Sequence, residues 1–169
     1  MDKSASGGFM ADMIKRAMSA QAETFVSNIR SGDWDLPIAL KNLGIRPDLW
    51  LKEAGYGHTV YEWPNTGDRD IGEERAFGGW IAALSDHIVS ITMATALEDG
   101  EWFTTQELTT RMFRPMQHGL IRVEGRLITR GRTSGYVEAE FTDEKGRLIA
   151  KAVALKAVRA RDEIQRPKG

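Results

Sequence analysis

Beyond Gly100 the sequence alternates between apolar and polar residues, and this pattern restricts the fold more than any other. Trp102 to Arg114, Leu120 to Arg130, Gly135 to Phe141 and Arg147 to Val158 are four period-two stretches, separated by turn-forming segments at Pro115 to Gly119, Gly131 to Ser134 and Asp143 to Gly146. Successive side chains of a strand point to opposite faces, so the pattern predicts an antiparallel meander. In the last two stretches Val137, Ala139, Phe141, Leu148, Ala150, Ala152 and Ala154 oppose Glu138, Glu140, Arg147 and Lys151, which makes one face buried and one wet. A sheet with one apolar face needs a cover. Phe77 to Leu97, rich in Ala, Ile and Leu, has the length and composition of a single buried helix that can provide it. Thr59 to Trp63, β-branched and aromatic between Gly57 and Pro64, reads as one more strand, followed by a charged loop from Asn65 to Arg75.

The first 56 residues have a different texture. Phe9, Met10, Met13, Ile14, Ala17, Met18, Phe25 and Ile29 recur at helical spacing, which predicts an amphipathic helix stopped by Ser31-Gly32-Asp33. Shorter helical pieces follow at Leu36 to Leu43 and Asp48 to Glu53. The expected organisation is a helical extension over 1–56, a main domain over 57–158 and a charged tail over 159–169. Anchors such as Phe25, Trp34, Leu36 and Trp50 require an apolar partner, so the extension is expected to pack on the main domain.

Lysine and arginine total 23 against 24 aspartate and glutamate, a formal net charge of -1, which offers no electrostatic basis for binding nucleic acid or an anionic membrane. There is no cysteine, so disulfides and thiolate chemistry are excluded, and His58, His87 and His118 form no metal-ligand spacing. No apolar segment of signal-peptide type follows Met1 to Gly8, and a cytoplasmic location is the expectation.

Two features of the apolar helix carry chemistry. Asp86 lies at its centre, where an unpaired buried carboxylate is costly. Either it has a structural partner, an arginine of the sheet or His87, or it is there to react. Gly78-Gly79 open the same helix, where free N–H groups and the positive helix end suit a carbonyl oxygen gaining negative charge; tight packing against a strand is the plainer explanation. His87, about 100° around the helix from Asp86, reads as a packing residue. The Trp102, Phe103, Met112 and Phe113 group reads as core or interface rather than as an acyl pocket.

The run Phe77-Gly78-Gly79-Trp80-Ile81-Ala82-Ala83-Leu84-Ser85-Asp86, followed by Thr105-Gln106-Glu107-Leu108 and Arg114-Pro115, resembles the hot-dog acyl-CoA thioesterases of the phenylacetate-degradation type. The Arg130-Gly131-Arg132 turn and the Asp143 to Gly146 hairpin add to the likeness, which runs from His58 to Val158. It implies an α+β hot-dog fold, a long central helix wrapped by a curved antiparallel sheet, assembled as a homodimer or a dimer of dimers. It also implies hydrolysis of an acyl-CoA or acyl-carrier thioester with no metal and no cofactor beyond the coenzyme A of the substrate. Asp86 then becomes nucleophile or general base, the Gly78 N–H polarises the thioester carbonyl, and Ser90 and Thr105 orient water or carboxylate. Phe77, Gly79, Arg111, Arg114, Arg130 and Arg132 are the expected substrate-binding residues, the arginines meeting nucleotide phosphates.

Two positions depart from the family pattern. Phe77 replaces the usual His, and Asp70-Ile71 stand where an Asn often helps to hold the carbonyl. A hot-dog protein that binds acyl-CoA without cleaving it is therefore the competing expectation. Gly78 and Asp86 lie eight residues apart, about 12 Å along one helix. A composite site between two antiparallel helices of a dimer follows from that separation.

Overall fold

The computed structural model describes residues 16–161. Helix α1, Ala20–Ser31, starts where the Ser19 hydroxyl accepts from the Ala22 N–H at 3.2 Å, and ends at Gly32 in the left-handed region with φ 79°. Ala17 and Met18, expected within this helix, precede its cap instead, and Phe9 to Ile14 lie outside the described residues. Helices α2, Ile38–Asn42, and α3, Pro47–Trp50, are short. The piece expected as helix over Asp48 to Glu53 instead splits at Leu51, where strand β1, Leu51–Gly55, begins and pairs with β2, His58–Asn65. The sheet therefore starts inside the segment assigned from the sequence to the helical extension.

The long helix α4 spans Gly78–Ala94, and the four alternating stretches form β3, Glu101–Met112, β4, Gly119–Arg130, β5, Ser134–Thr142, and β6, Leu148–Ala160. All pairings are antiparallel and the strand order is β1-β2-β4-β5-β6-β3. The expectation of a simple meander fails at β3, which pairs with β6 at the far edge rather than with β4. Alternation reports which face of a strand is buried but not its neighbour. The polar centre of β3, Thr104 to Glu107, is what an edge strand tolerates, and none of its residues is fully buried. A bulge between Thr105 and Glu107 reverses the facing parity along β3, so that Phe103 and Thr105, and then Leu108 and Thr110, lie opposite the helix-facing β6 residues Val158, Lys156, Ala154 and Ala152.

Helix α4 lies against the sheet and is buried on most of its circumference. Ile88, Val89 and Met93 pack with Val123, Val137, Ala139, Phe141 and the small β6 residues Ala150, Ala152 and Ala154. The opposite side of the helix is covered by the N-terminal elements. Trp80 meets Trp63 at 4.3 Å and Trp50 at 6.3 Å between ring centroids, and its indole N–H donates to the Leu43 carbonyl at 2.8 Å. The expected packing of the extension on the main domain is thus observed, with Trp50 in the core and Phe25 and Trp34 partly buried against it.

The helix is tied to the sheet where the Thr92 and Thr59 hydroxyls bond at 2.6 Å, opposite Gly125 of β4. A Cβ at Gly125 would lie 2.1 Å from Thr92 Oγ1 and 2.7 Å from Thr59 Oγ1. Gly125→Ala must push α4 off the sheet, and a loss of about 1–3 kcal/mol is expected from overpacking. Urea unfolding checks it; an unchanged midpoint would show that the helix seat yields freely.

Candidate active site

Midway along α4, Asp86 is half exposed, with 48% of its side chain accessible, and faces an apolar cavity of about 400 Å³. The sequence suggested a buried carboxylate. The structure instead opens it to this cavity and gives it a structural partner as well. That partner is neither an arginine nor His87 but Lys156 of β6, whose side chain is fully buried. Lys156 Nζ lies 3.3 Å from Asp86 Oδ1, 2.9 Å from Ser90 Oγ and 2.7 Å from Thr105 Oγ1, and Thr105 Oγ1 donates to Asp86 Oδ1 at 3.3 Å. Asp86, Ser90 and Thr105 are thus brought together as expected, around a fourth residue that the sequence reading passed over. Burial pushes the Lys156 ammonium below the ordinary lysine range, while Asp86 and its hydrogen bond pull it back up.

Lys156 had a signal. It continues the phase of Ala150, Ala152 and Ala154, and a lysine on the apolar phase of a strand must have a buried partner. The β5 residue paired with it is Gly135, where a Cβ would lie 2.5 Å from Met93 Sδ.

Gly78 lies elsewhere. Phe77 provides the N-cap position of α4 without a side-chain bond, so the first N–H groups of the helix have no internal acceptor. Gly78 borders a hollow with Ile71, Met112, Phe113 and Arg114, and a Cβ there would be 3.2 Å from Met112 Sδ. That hollow and the Asp86 cavity share no lining residue within one chain. Gly79 has a local cause: the Phe77 ring folds over it, 2.6 Å from where a Cβ would sit, so the glycine accommodates that ring rather than a strand.

Residues 74–150 match the model of the Thioesterase superfamily. The matched segment holds Gly78, Asp86, Ser90 and Thr105, whereas Lys156 lies beyond it. Over 76 residues the chain is 37% identical to SSO2140 of Saccharolobus solfataricus, provisionally named an esterase; this is 45% of the chain and 54% of the relative, about half its length. Among solved structures, the thioesterase HI1161 of Haemophilus influenzae superposes with a TM-score of 0.71 at 18% identity, over 91% of this chain and 99% of that one. A phenylacetic acid degradation-related protein of Ralstonia eutropha, provisionally a thioesterase, gives 0.65 at 26% identity over 78% and 98%. Smu.793 of Streptococcus mutans, solved with acetyl-CoA, gives 0.59 at 21% over 65% and 87%. The sheet, its helix and these neighbours make the fold hot-dog.

The matched segment does not gather the arginines into one cluster. Arg111 pairs in register with Lys151 at one end of β6, whereas Arg130 pairs with Gly135, which is opposite Lys156. Five residues of strand, about 16 Å, separate the two ends. Arg114 donates to the Leu148 carbonyl at 2.5 Å and borders the Gly78 hollow. Arg130 is largely buried in an ion pair with Glu101, which commits it to the fold, and Arg132 is exposed in the β4–β5 turn. Asp70 holds His118 at 2.6 Å. The aromatic group divides: Trp102 and Phe103 pack against the core, and also line the Asp86 cavity, while Met112 and Phe113 are exposed beside Gly78. Among the described residues no group of three or more His, Asp or Glu is placed to hold a metal, and no helix is long and apolar enough to cross a membrane.

His87 packs as the sequence suggested, stacked on Trp34 at 6.5 Å and with Nε2 3.4 Å from the Tyr61 hydroxyl. Burial lowers its pKa to about 4, against the opposing pull of Asp86. An unfolded His titrates near about 6.5, so between these values the unfolded chain binds a proton that the native chain does not. Stability is therefore lost as pH falls from about 6.5 towards 4. His87→Gln should reduce the loss between pH 7 and pH 5 by about 2 kcal/mol in urea titrations; equal losses in both proteins would mean that His87 is not held neutral.

Proposed function

We propose that the protein hydrolyses the thioester of an acyl-CoA or acyl-carrier substrate, with Asp86 as nucleophile or general base. The observation that carries this reading is a half-exposed carboxylate, held by two donors on one oxygen, at the wall of an apolar cavity in a hot-dog fold. The cavity has the volume of an ordinary small-molecule site and receives the acyl group. Its outer wall comes from Phe25, Trp34, Leu40 and Leu43 of the N-terminal elements, which thereby set acyl preference. Water and metal-free carboxylate chemistry suffice, with coenzyme A entering as part of the substrate.

The site is completed by a second copy. Gly78 and Asp86 of one chain face separate hollows, and one thioester carbon cannot meet both. The exposed Phe77, Met112 and Phe113 and the free edge of β3 offer a surface for a second chain. Packing two α4 helices antiparallel across a two-fold axis brings the Gly78 N–H of one chain to the Asp86 cavity of the other. The carbonyl is then polarised by backbone alone, since the Phe77 side chain carries no N–H or O–H to donate.

Thiol release from a panel of acyl-CoAs tests the reaction. Asp86→Asn should fold and lose about 10³-fold or more in kcat, because the amide is neither nucleophile nor base. Both variants strip the buried Lys156 of its counter-charge, but Asn keeps an amide oxygen that can accept from the ammonium whereas Ala leaves it none, so Asp86→Ala should destabilise more and is the less informative of the two. Ligand-dependent melting with no thiol released would instead favour a non-hydrolytic acyl-CoA-binding protein. Co-expressed Asp86→Asn and Gly78→Pro chains should recover activity in the heterodimer, which retains one intact composite site; no recovery in demonstrated heterodimers would place both groups in one chain. Trp34→Ala enlarges the cavity and should shift preference towards bulkier acyl groups, read as the ratio of kcat/KM values across the panel. An unchanged ratio would remove the N-terminal wall from specificity.

A further inference from the structure

Lys156 has more order around it than an ion pair requires. An ammonium has three protons and no lone pair. Here three oxygens stand within 3.3 Å of it, Thr105 Oγ1, Ser90 Oγ and Asp86 Oδ1, and the Phe103 ring lies 5.4 Å away at its centroid. The side chains that meet Nζ are thus Asp86 and Ser90 from α4 and Thr105 and Phe103 from β3. From β5 the register partner is Gly135, which brings no side chain.

Because an ammonium can only donate, both hydroxyls must accept from it, and their own protons turn elsewhere. The Thr105 proton goes to Asp86 Oδ1. Ser90 behaves unlike the other hydroxyls of the helix. Ser85 and Thr92 each donate at 2.8 Å to the carbonyl four residues earlier, whereas the Ser90 proton has no acceptor among the described residues and the residue borders the cavity. Asp86 Oδ1 carries two donors, and Oδ2 has no partner among the described residues.

We propose that Lys156 is a positioning residue that fixes the direction of every hydrogen bond in the site, so that Ser90 presents a donor and Asp86 Oδ2 presents free lone pairs to the cavity. Ser90 then donates to an oxygen of the substrate or of the attacking water. Either Oδ2 takes the proton of that water as the water oxygen bonds to the thioester carbon, or Oδ2 bonds to that carbon itself. In both cases the C–S bond breaks and the thiolate leaves to take up a proton, and in the second case a water then cleaves the acyl anhydride and frees the carboxylate. A neutral amine at position 156 can accept a hydrogen bond, and the order of the network is lost with the charge. This rests on the hydrolytic reading of Asp86, which wild-type turnover tests separately.

The experiment is the pH profile of kcat, corrected for enzyme-free hydrolysis, in the wild type, Lys156→Met and Ser90→Ala. The wild type should lose activity on the alkaline side, below the ordinary lysine range, because burial lowers Lys156. Lys156→Met should fall about 10- to 100-fold in kcat with KM within about threefold, and its alkaline limb should disappear. A side chain that merely fills space would lower the melting temperature and leave the limb in place, and that result overturns the proposal. If Lys156→Met does not fold, Ser90→Ala decides: with one acceptor of the ammonium removed the limb moves to lower pH, and an unmoved limb refutes the assignment. If the wild type releases no thiol from any acyl-CoA, the hydrolytic reading fails by itself. The ammonium is then followed directly by ¹⁵N NMR, titrating below the lysine range and lower still in Ser90→Ala; an ordinary, unshifted lysine signal overturns the network.

Discussion

Everything in this molecule depends on seating a helix that has almost no wet side. Of α4, Trp80, Ile81, Leu84, Ile88, Val89, Ile91 and Met93 are all buried, so neither the sheet nor the N-terminal helices could cover it alone. The alanines of β6 and Gly125 of β4 lower the sheet surface, and the Thr59–Thr92 hydroxyl bond satisfies the polar atoms buried between helix and sheet. With the helix fixed on both sides, the side chains in its middle have defined positions. This allows a carboxylate there to be aimed with little freedom.

The centre of α4 resolves an ambiguity that looked like a choice. A charged residue in an apolar helix reads as either a structural ion-pair member or a reactive group, and Asp86 is in a position to be both. Its two oxygens divide the roles: Oδ1 meets Lys156 and Thr105, while Oδ2 is without a partner among the described residues. The burial is asymmetric, with Lys156 at 0% side-chain exposure and Asp86 at 48%. Most of the desolvation cost of the pair therefore falls on the lysine, and the carboxylate keeps access to the cavity.

Most strands and the long helix were legible because each has a period that a window of ten residues reveals. Strand neighbours were not, because β3 carries the same alternation wherever it pairs, and only its polar centre hinted at an edge. Asp86, Ser90 and Thr105 were legible through the motif run and its likeness to known thioesterases. Lys156 was missed because the reading of β6 took Lys151 as the mark of the wet face and stopped at Ala154, two residues before a lysine in the opposite phase. Trp102 and Phe103 were legible as packing residues but not as cavity lining, because an aromatic pair looks the same in a core as in a cavity wall. Arg130 shows the same limit, since a turn arginine gives no sign that Glu101 will claim it.

The cavity wall has a further consequence for how such a protein can change. Asp86, Ser90, Thr105 and Lys156 are borne by the helix and two strands, whereas Phe25, Trp34, Leu40 and Leu43 sit on short elements near the start of the chain. The two sets meet at one cavity but belong to different layers, and the turn around Trp34, exposed at Gly32, Asp33 and Asp35, can change length without disturbing a strand register. On the proposed reading of the site, selectivity and chemistry occupy separable stretches of sequence. A lineage can exchange the first repeatedly while the second stays as it is.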